Sequence, residues 1–164
     1  MREDEILAAT YNAAEDRIVL YQKHNLEHVF LHEATHAAIH GATDTSTYRG
    51  LFDAMNPLCK DGVDADEMPN GKGEFGLVRT NPIPTKTVVG SIAYLNGLRG
   101  LDGAKIEYKR LGSMQSAVST QLIDVYDVKI PTDRKLVTLY ISPYERRNSK
   151  KAPRGFILVS SWAS

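Results

Sequence analysis

Residues 26–40 read Leu-Glu-His-Val-Phe-Leu-His-Glu-Ala-Thr-His-Ala-Ala-Ile-His, a run free of glycine and proline that follows Asn25 and stops at Gly41. Asparagine caps helices well because its side chain accepts from the orphan amides of the first turn, and glycine ends them because it enters the left-handed region without penalty. Leu26, Val29, Phe30, Ala37 and Ile39 supply apolar contact. The run therefore predicts a helix that packs on something else. Just upstream, residues 17–22 (Arg-Ile-Val-Leu-Tyr-Gln) form a short, partly β-branched run with polar flanks and predict a strand.

Downstream the composition changes. Residues 56–84 contain Pro57, Gly62, Pro69, Gly71, Gly73, Gly76, Pro82 and Pro84 among Asp61, Asp64, Asp66, Glu67 and Glu74, the texture of a long loop or linker. Past it, residues 87–95 suit a strand or a short helix. Residues 105–110, 122–130, 136–141 and 156–159 are Val, Ile, Leu and Tyr runs between turn residues and predict strands. Two of these, 136–141 and 156–159, are apolar on both faces, which suggests central strands. The fold class expected is α+β: a helical unit over 1–56, an acidic Gly/Pro-rich loop or linker over 57–84, and a β-rich portion over 85–164, or one compact domain overall.

A chain of 164 residues with 42% hydrophobic content is long enough to bury a core. Its 20 basic and 20 acidic side chains cancel, so no net field draws it to nucleic acid or to an anionic membrane. Arg146, Arg147, Lys150, Lys151 and Arg154 concentrate positive charge, but without the interleaved aromatics of a single-strand nucleic-acid platform; they read as a solvated loop or, failing that, an anionic partner surface. Cys59 is the one cysteine, which rules out an internal disulfide and suits a reducing compartment. The charged opening Met1-Arg2-Glu3-Asp4-Glu5 does not resemble a signal peptide, and no apolar run has the length of a membrane span. The expectation is a protein cytoplasmic as synthesised, with export that needs no signal left open.

All five histidines, His24, His28, His32, His36 and His40, fall at a constant spacing of four. On a helix that spacing stacks neighbours while drifting about 40° per step, so adjacent pairs can share a metal ion and the five together cannot. The segment His32-Glu33-Ala34-Thr35-His36 selects the pair, because it is the HExxH pattern. In that pattern two imidazoles one turn apart chelate Zn²⁺, and the Glu between them serves as general base toward an activated water. His32 and His36 are thus candidate ligands and Glu33 the candidate base. The alternative is that both are partly buried helix histidines with satisfied ring nitrogens. His24, His28 and His40 fit capping, supporting or solvent-facing roles better than ligation.

A catalytic zinc usually takes three protein ligands. After Gly41 the first carboxylate is Asp44, in Gly41-Ala42-Thr43-Asp44-Thr45-Ser46-Thr47-Tyr48-Arg49-Gly50. Over residues 17–50 the chain here resembles the aspzincins, the deuterolysin-like zinc peptidases. That resemblance implies His32, His36 and Asp44 as zinc ligands, Glu33 as base and Tyr48 as the phenol that steadies the oxyanion. In this chain Asp44 directly follows Thr43 and Arg49 stands before Gly50, so the spacing departs from the family's glycine-threonine signature. A turn aspartate and a structural tyrosine remain alternative readings of Asp44 and Tyr48. Asp53 is a reserve ligand, whereas Glu67 and Glu74 sit among glycines and prolines that argue against a second ligand helix.

Ser113, Ser116 and Ser119 have no histidine near them in sequence, which argues against a serine hydrolase. The functional expectation is a zinc-dependent peptidase acting on a peptide or protein. The rival is a non-catalytic interaction module, of effector or immunity type, with a structural or vestigial metal site.

Overall fold

The structure, a computed structural model, describes residues 7–12, 14–15, 17–21, 26–41 and 55–159 and, within the first helix, the side chains of 29, 30 and 32–37. The fold is α+β. Strands β1 (Ala9–Asn12) and β2 (Arg17–Leu20) lead into helix α1 (Leu26–Gly41). A short 3-10 turn (Asn56–Cys59), strand β3 (Ile83–Pro84) and helix α2 (Thr87–Gly97) follow, then β4 (Leu98–Gly100), β5 (Glu107–Met114), β6 (Ile123–Ile130), β7 (Lys135–Ser142) and β8 (Phe156–Leu158). Six strands form one sheet in the order β2-β1-β5-β6-β7-β3, antiparallel throughout except for the parallel β3–β7 pair.

The ambiguous run 87–95 is helical. Its buried residues Thr87, Val88, Ser91, Tyr94 and Leu95 recur at helical spacing, one stripe of α2. Tyr94 and Leu95 of that stripe pack on the sheet face carrying Tyr126, Val128 and Ile130 of β6 with Leu139 and Ile141 of β7, while Val88 joins Met55 and Tyr144. The opposite face holds Met114, Ile123, Val125 and Tyr140, packed by Leu7 and Leu111. Burial on both faces at the end of β7 explains why residues 136–141 read as apolar on both faces. The strand expected at 156–159 departs from expectation: β8 is not central but pairs with β4 alone in a two-stranded sheet, and Ile157 is exposed. Its apolar character comes from Phe156 and Leu158 turning onto the α2 core.

The Gly/Pro-rich segment is tied down by charge. Arg147 reaches Asp64 at 2.8 Å and Asp66 at 2.7 Å, Lys151 pairs with Glu67, and Arg154 meets Glu74 at 2.8 Å. The buried Glu145 adds a backbone anchor, accepting from Val63 N at 2.6 Å. The basic run at 146–154 is thus largely neutralised by the acidic run at 61–74. Among the described residues no helix is long and apolar enough to cross a membrane.

Candidate metal centre

Helix α1 turns one stripe toward the sheet: Val29, His32, Glu33 and His36, spaced three, four and seven, are all buried. Apolar Val29 joins Ala8, Ala9 and Leu122 in a small cluster. His32 and His36 of the stripe meet Asp124, which projects from β6 on the same face as Tyr126.

His32 Nε2 lies 2.7 Å from Asp124 Oδ1, and His36 Nε2 lies 3.2 Å from each Asp124 oxygen. The two Nε2 atoms are 3.3 Å apart. A tetrahedral zinc with bonds near 2.0–2.1 Å separates its ligand atoms by about 3.3 Å. Two of the three edges of the triad match that length, and the third, between His32 and Asp124, is a hydrogen bond that an ion would need to open by about 0.6 Å. These three residues are the group of ligating side chains that converges among the described residues.

The other ring nitrogen of His32 is held as well. Its Nδ1 lies 2.5 Å from the Tyr144 hydroxyl, which follows β7. A phenol both donates and accepts. It can therefore donate to Nδ1 while Nε2–H serves Asp124, or accept from Nδ1–H while the Nε2 lone pair turns to a cation, the arrangement that supports histidine ligands in metal sites. Burial first, and the Asp124 charge second, raise the Tyr144 phenol well above its ordinary range, so its proton stays on.

Glu33 is fully buried and bound on both oxygens. Arg110 Nη1 donates to Oε2 at 2.9 Å and Nη2 to Oε1 at 2.8 Å, while Ser113 Oγ donates to Oε1 at 2.8 Å. Residues 110 and 113 stand an odd number apart and would point to opposite faces of a regular strand. The register of β5 against β6 shifts between Arg110 and Gly112, and this bulge brings both donors to the α1 side. Arg110 also donates to Asp124 Oδ1, from Nη2 at 2.9 Å and Nε at 3.3 Å. One guanidinium thus joins the candidate base to the third candidate ligand.

Electrostatics follow from this packing. Burial acts to raise the Glu33 carboxyl, but Arg110, as charge and as donor, outweighs it and leaves it below the usual glutamate range. Burial acts on Asp124 in the same direction and is likewise overcome, by His32, His36 and Arg110, which hold it well below the ordinary aspartate value. Burial first, then the Arg110 charge, push His36 down to about 4. At neutral pH His36 is an uncharged imidazole, the form a metal requires.

His32, Glu33 and Asp124 are buried, and a cavity of about 750 Å³ is lined by His36 and Arg110 together with Ile92, Tyr108 and Tyr126. Of the residues singled out in the sequence, His32, Glu33 and His36 come together here. Asp44, Tyr48, Asp53 and His24 lie outside the described residues, as do the side chains of His28 and His40. Glu67 and Glu74 are spent in surface ion pairs. Asp124, Arg110 and Tyr144 were not foreseen, and Ser113, weighed only as a nucleophile, enters instead as a donor to Glu33. The one trace of Asp124 in the sequence is an acid at an inward position of an apolar strand, Leu122-Ile123-Asp124-Val125. Compared with protein-family models, with curated proteins and with solved structures, the chain matches none of them.

Proposed function

We propose that the chain is a zinc-dependent hydrolase of peptide bonds, with His32, His36 and Asp124 as the ligands. The observation that carries this reading is the convergence of two imidazole nitrogens and a carboxylate, two of their three separations at tetrahedral-edge length, behind a cavity that His36 lines. Zinc, when bound, supplies a Lewis acid that polarises a carbonyl and acidifies water. The chain supplies the rest. Tyr144 fixes the His32 ring. Arg110 keeps the Asp124 carboxylate ionised and oriented. Glu33 has about four lone-pair positions, of which three accept from Arg110 and Ser113, leaving one to take the proton of an attacking water and return it to the leaving amine. The cavity has room for a substrate of a few residues.

A second reading has its own observation. The double clamp of Arg110 on Glu33 weakens the carboxylate as a base and suits a structural ion that pins α1 to β5 and β6. The experiment that separates the two is zinc content and casein hydrolysis of the wild type, His32→Ala/His36→Ala and Glu33→Gln. The hydrolase reading expects about one zinc per chain, lost in the double variant, and hydrolysis lost in Glu33→Gln with its zinc kept. Zinc bound with no hydrolysis of casein or of a peptide library assigns the ion a structural role, and no zinc in any form overturns both.

A further inference from the structure

The basic side chains of the molecule are unevenly neutralised. Arg147, Lys151 and Arg154 each meet a carboxylate of the acidic loop, whereas Lys60, Lys86 and Arg146 form no ion pair among the described residues. These three come from separate parts of the chain: Lys60 follows the 3-10 turn, Lys86 precedes α2, and Arg146 lies beyond the end of β7. They nevertheless line one cavity of about 460 Å³, whose wall is completed by Asn56, Pro57 and Cys59 and includes no carboxylate. The acids adjacent to them in sequence do not supply the missing charge. Glu145 is buried and occupied, accepting from Val63 N at 2.6 Å and from Ser142 Oγ at 2.8 Å. Asp61 is exposed and lies off the wall of the cavity.

The backbone beneath the three cations is fixed. Arg146 N donates to Val63 O at 3.0 Å and its Nε to Lys60 O at 2.9 Å, which leaves both terminal guanidinium nitrogens without a partner among the described residues. Lys86 bridges Tyr144 in an isolated antiparallel pair, and its N donates to Asn148 Oδ1 at 2.8 Å. Beside it Thr87 takes a φ of 63°, unfavourable for a β-branched residue, with its N bonded to Pro143 O at 2.8 Å. Lys86 also stands at the N-cap of α2, whose first turn has no acidic residue, so the positive end of that helix adds to the field. Like charges gathered on such a frame repel, and a bound anion would relieve that repulsion.

We propose that this cavity binds a phosphate monoester of a small organic molecule, with Lys60, Lys86 and Arg146 gripping the phosphoryl group. Charge and size define the ligand. A carboxylate offsets one cation of the three, whereas a phosphate monoester carries about −1.5 to −2 near neutral pH and presents three acceptor oxygens to a guanidinium fork and two ammonium groups. The phosphoryl group fills about 90 Å³, three times the roughly 30 Å³ share of a water molecule. Most of the cavity therefore remains for the organic part, beside the Asn56 amide and Pro57. The cavity shares no residue with the one that His36 and Arg110 line, so binding does not require the hydrolase reading.

The test is calorimetric titration of the full chain, without metal and at constant ionic strength. The probes are glycerol 3-phosphate, ribose 5-phosphate and glucose 6-phosphate, set against their parent alcohols, inorganic phosphate and a phosphoserine hexapeptide. Expected is a submillimolar Kd for at least one ester, at least tenfold tighter than its parent and than inorganic phosphate. That affinity should fall at least tenfold in Lys86→Gln/Arg146→Gln and in Lys60→Glu, whose site is exposed and tolerant of change, and stay unchanged in Lys109→Gln, which alters the other cavity. Because it removes like-charge repulsion, the double variant should melt no lower than the wild type when no ligand is present. No ester bound below millimolar concentration, equal binding of ester and parent, affinity kept in both cavity variants or lost in Lys109→Gln each overturns the proposal. Tighter binding of inorganic phosphate or of the phosphoserine peptide than of every ester overturns it as well, by assigning the cavity to a free anion or to a phosphorylated protein.

Discussion

Arg110 is the side chain on which the centre balances, since it neutralises Glu33 and Asp124 at once from a nearly buried position. Removing one partner of a buried pair leaves the other charge uncompensated at a cost of about 3–5 kcal/mol. Arg110→Leu should therefore lower unfolding stability by that order in urea titration, while Arg110→Lys, which keeps charge but loses the fork, should fall between it and the wild type. Asp124→Asn should weaken zinc binding by at least tenfold in competition with a chelating dye; unchanged affinity would move the third ligand into residues outside those described. His36 gives a pH signature to the metal-free protein. Its folded value of about 4 lies below the unfolded value near 6.5, so over that interval the unfolded chain binds a proton that the folded chain does not. Stability should be full above about pH 6.5 and decline as pH falls toward 4, and His36→Gln should flatten that slope in thermal melts recorded across the range. At this scale the sequence was legible only where the chemistry is local. His32, Glu33 and His36 share one turn of helix, whereas Asp124 comes from 88 residues beyond His36 and Tyr144 from 112 beyond His32, distances over which no spacing rule applies.

Elements were easier to read than sites because hydrophobic period is local. The run without glycine or proline between Asn25 and Gly41 in the sequence matches α1, and β-branched runs marked β2, β5, β6 and β7 to within a few residues. Strand β1, Ala-Thr-Tyr-Asn, was not foreseen because it is short and half polar, and it is a strand by virtue of its partners β2 and β5. The bulge in β5 left no local sign except Gly112. There Gly112→Ala should cost about 1–3 kcal/mol by forcing a methyl toward Ala9 O, measured as a lower melting temperature. The pairing between residues 61–74 and 146–154 could not be inferred from either run alone, since each reads as solvated charge. Its ion pairs are exposed, so Asp66→Ala should cost no more than about 1 kcal/mol in low salt and nearly nothing in 1 M sodium chloride. A loss that persists in high salt would show that backbone bonds, not charge, hold the loop.

For the whole molecule, the proposed ligation across α1 and β6 would link metal to folding. Zinc that binds only the folded form adds about 2.7 kcal/mol at a hundredfold excess over its dissociation constant. Differential scanning calorimetry should show a rise in melting temperature with zinc, reversed by a chelator and absent in Asp124→Asn. An unchanged transition would mean that the triad is a metal-free polar network. The α+β class was legible in the order of elements, but the sheet order β2-β1-β5-β6-β7-β3 was not, because it depends on which edge each distant strand joins.

The lone register pair between β1 and β5, Ala9 with Ser113, divides the sheet into two panels, and this bears on how substitutions combine. Residues of β1 and β2 share few neighbours with those of β6 and β7, so pairs of changes drawn from the two panels should sum independently to within about 0.5 kcal/mol. Coupling belongs to the seam, where Ala9, Val29 and Leu122 pack and Glu33 meets Arg110 and Ser113. Each panel can therefore accumulate substitutions on its own terms, while the seam residues constrain one another and change, if at all, together.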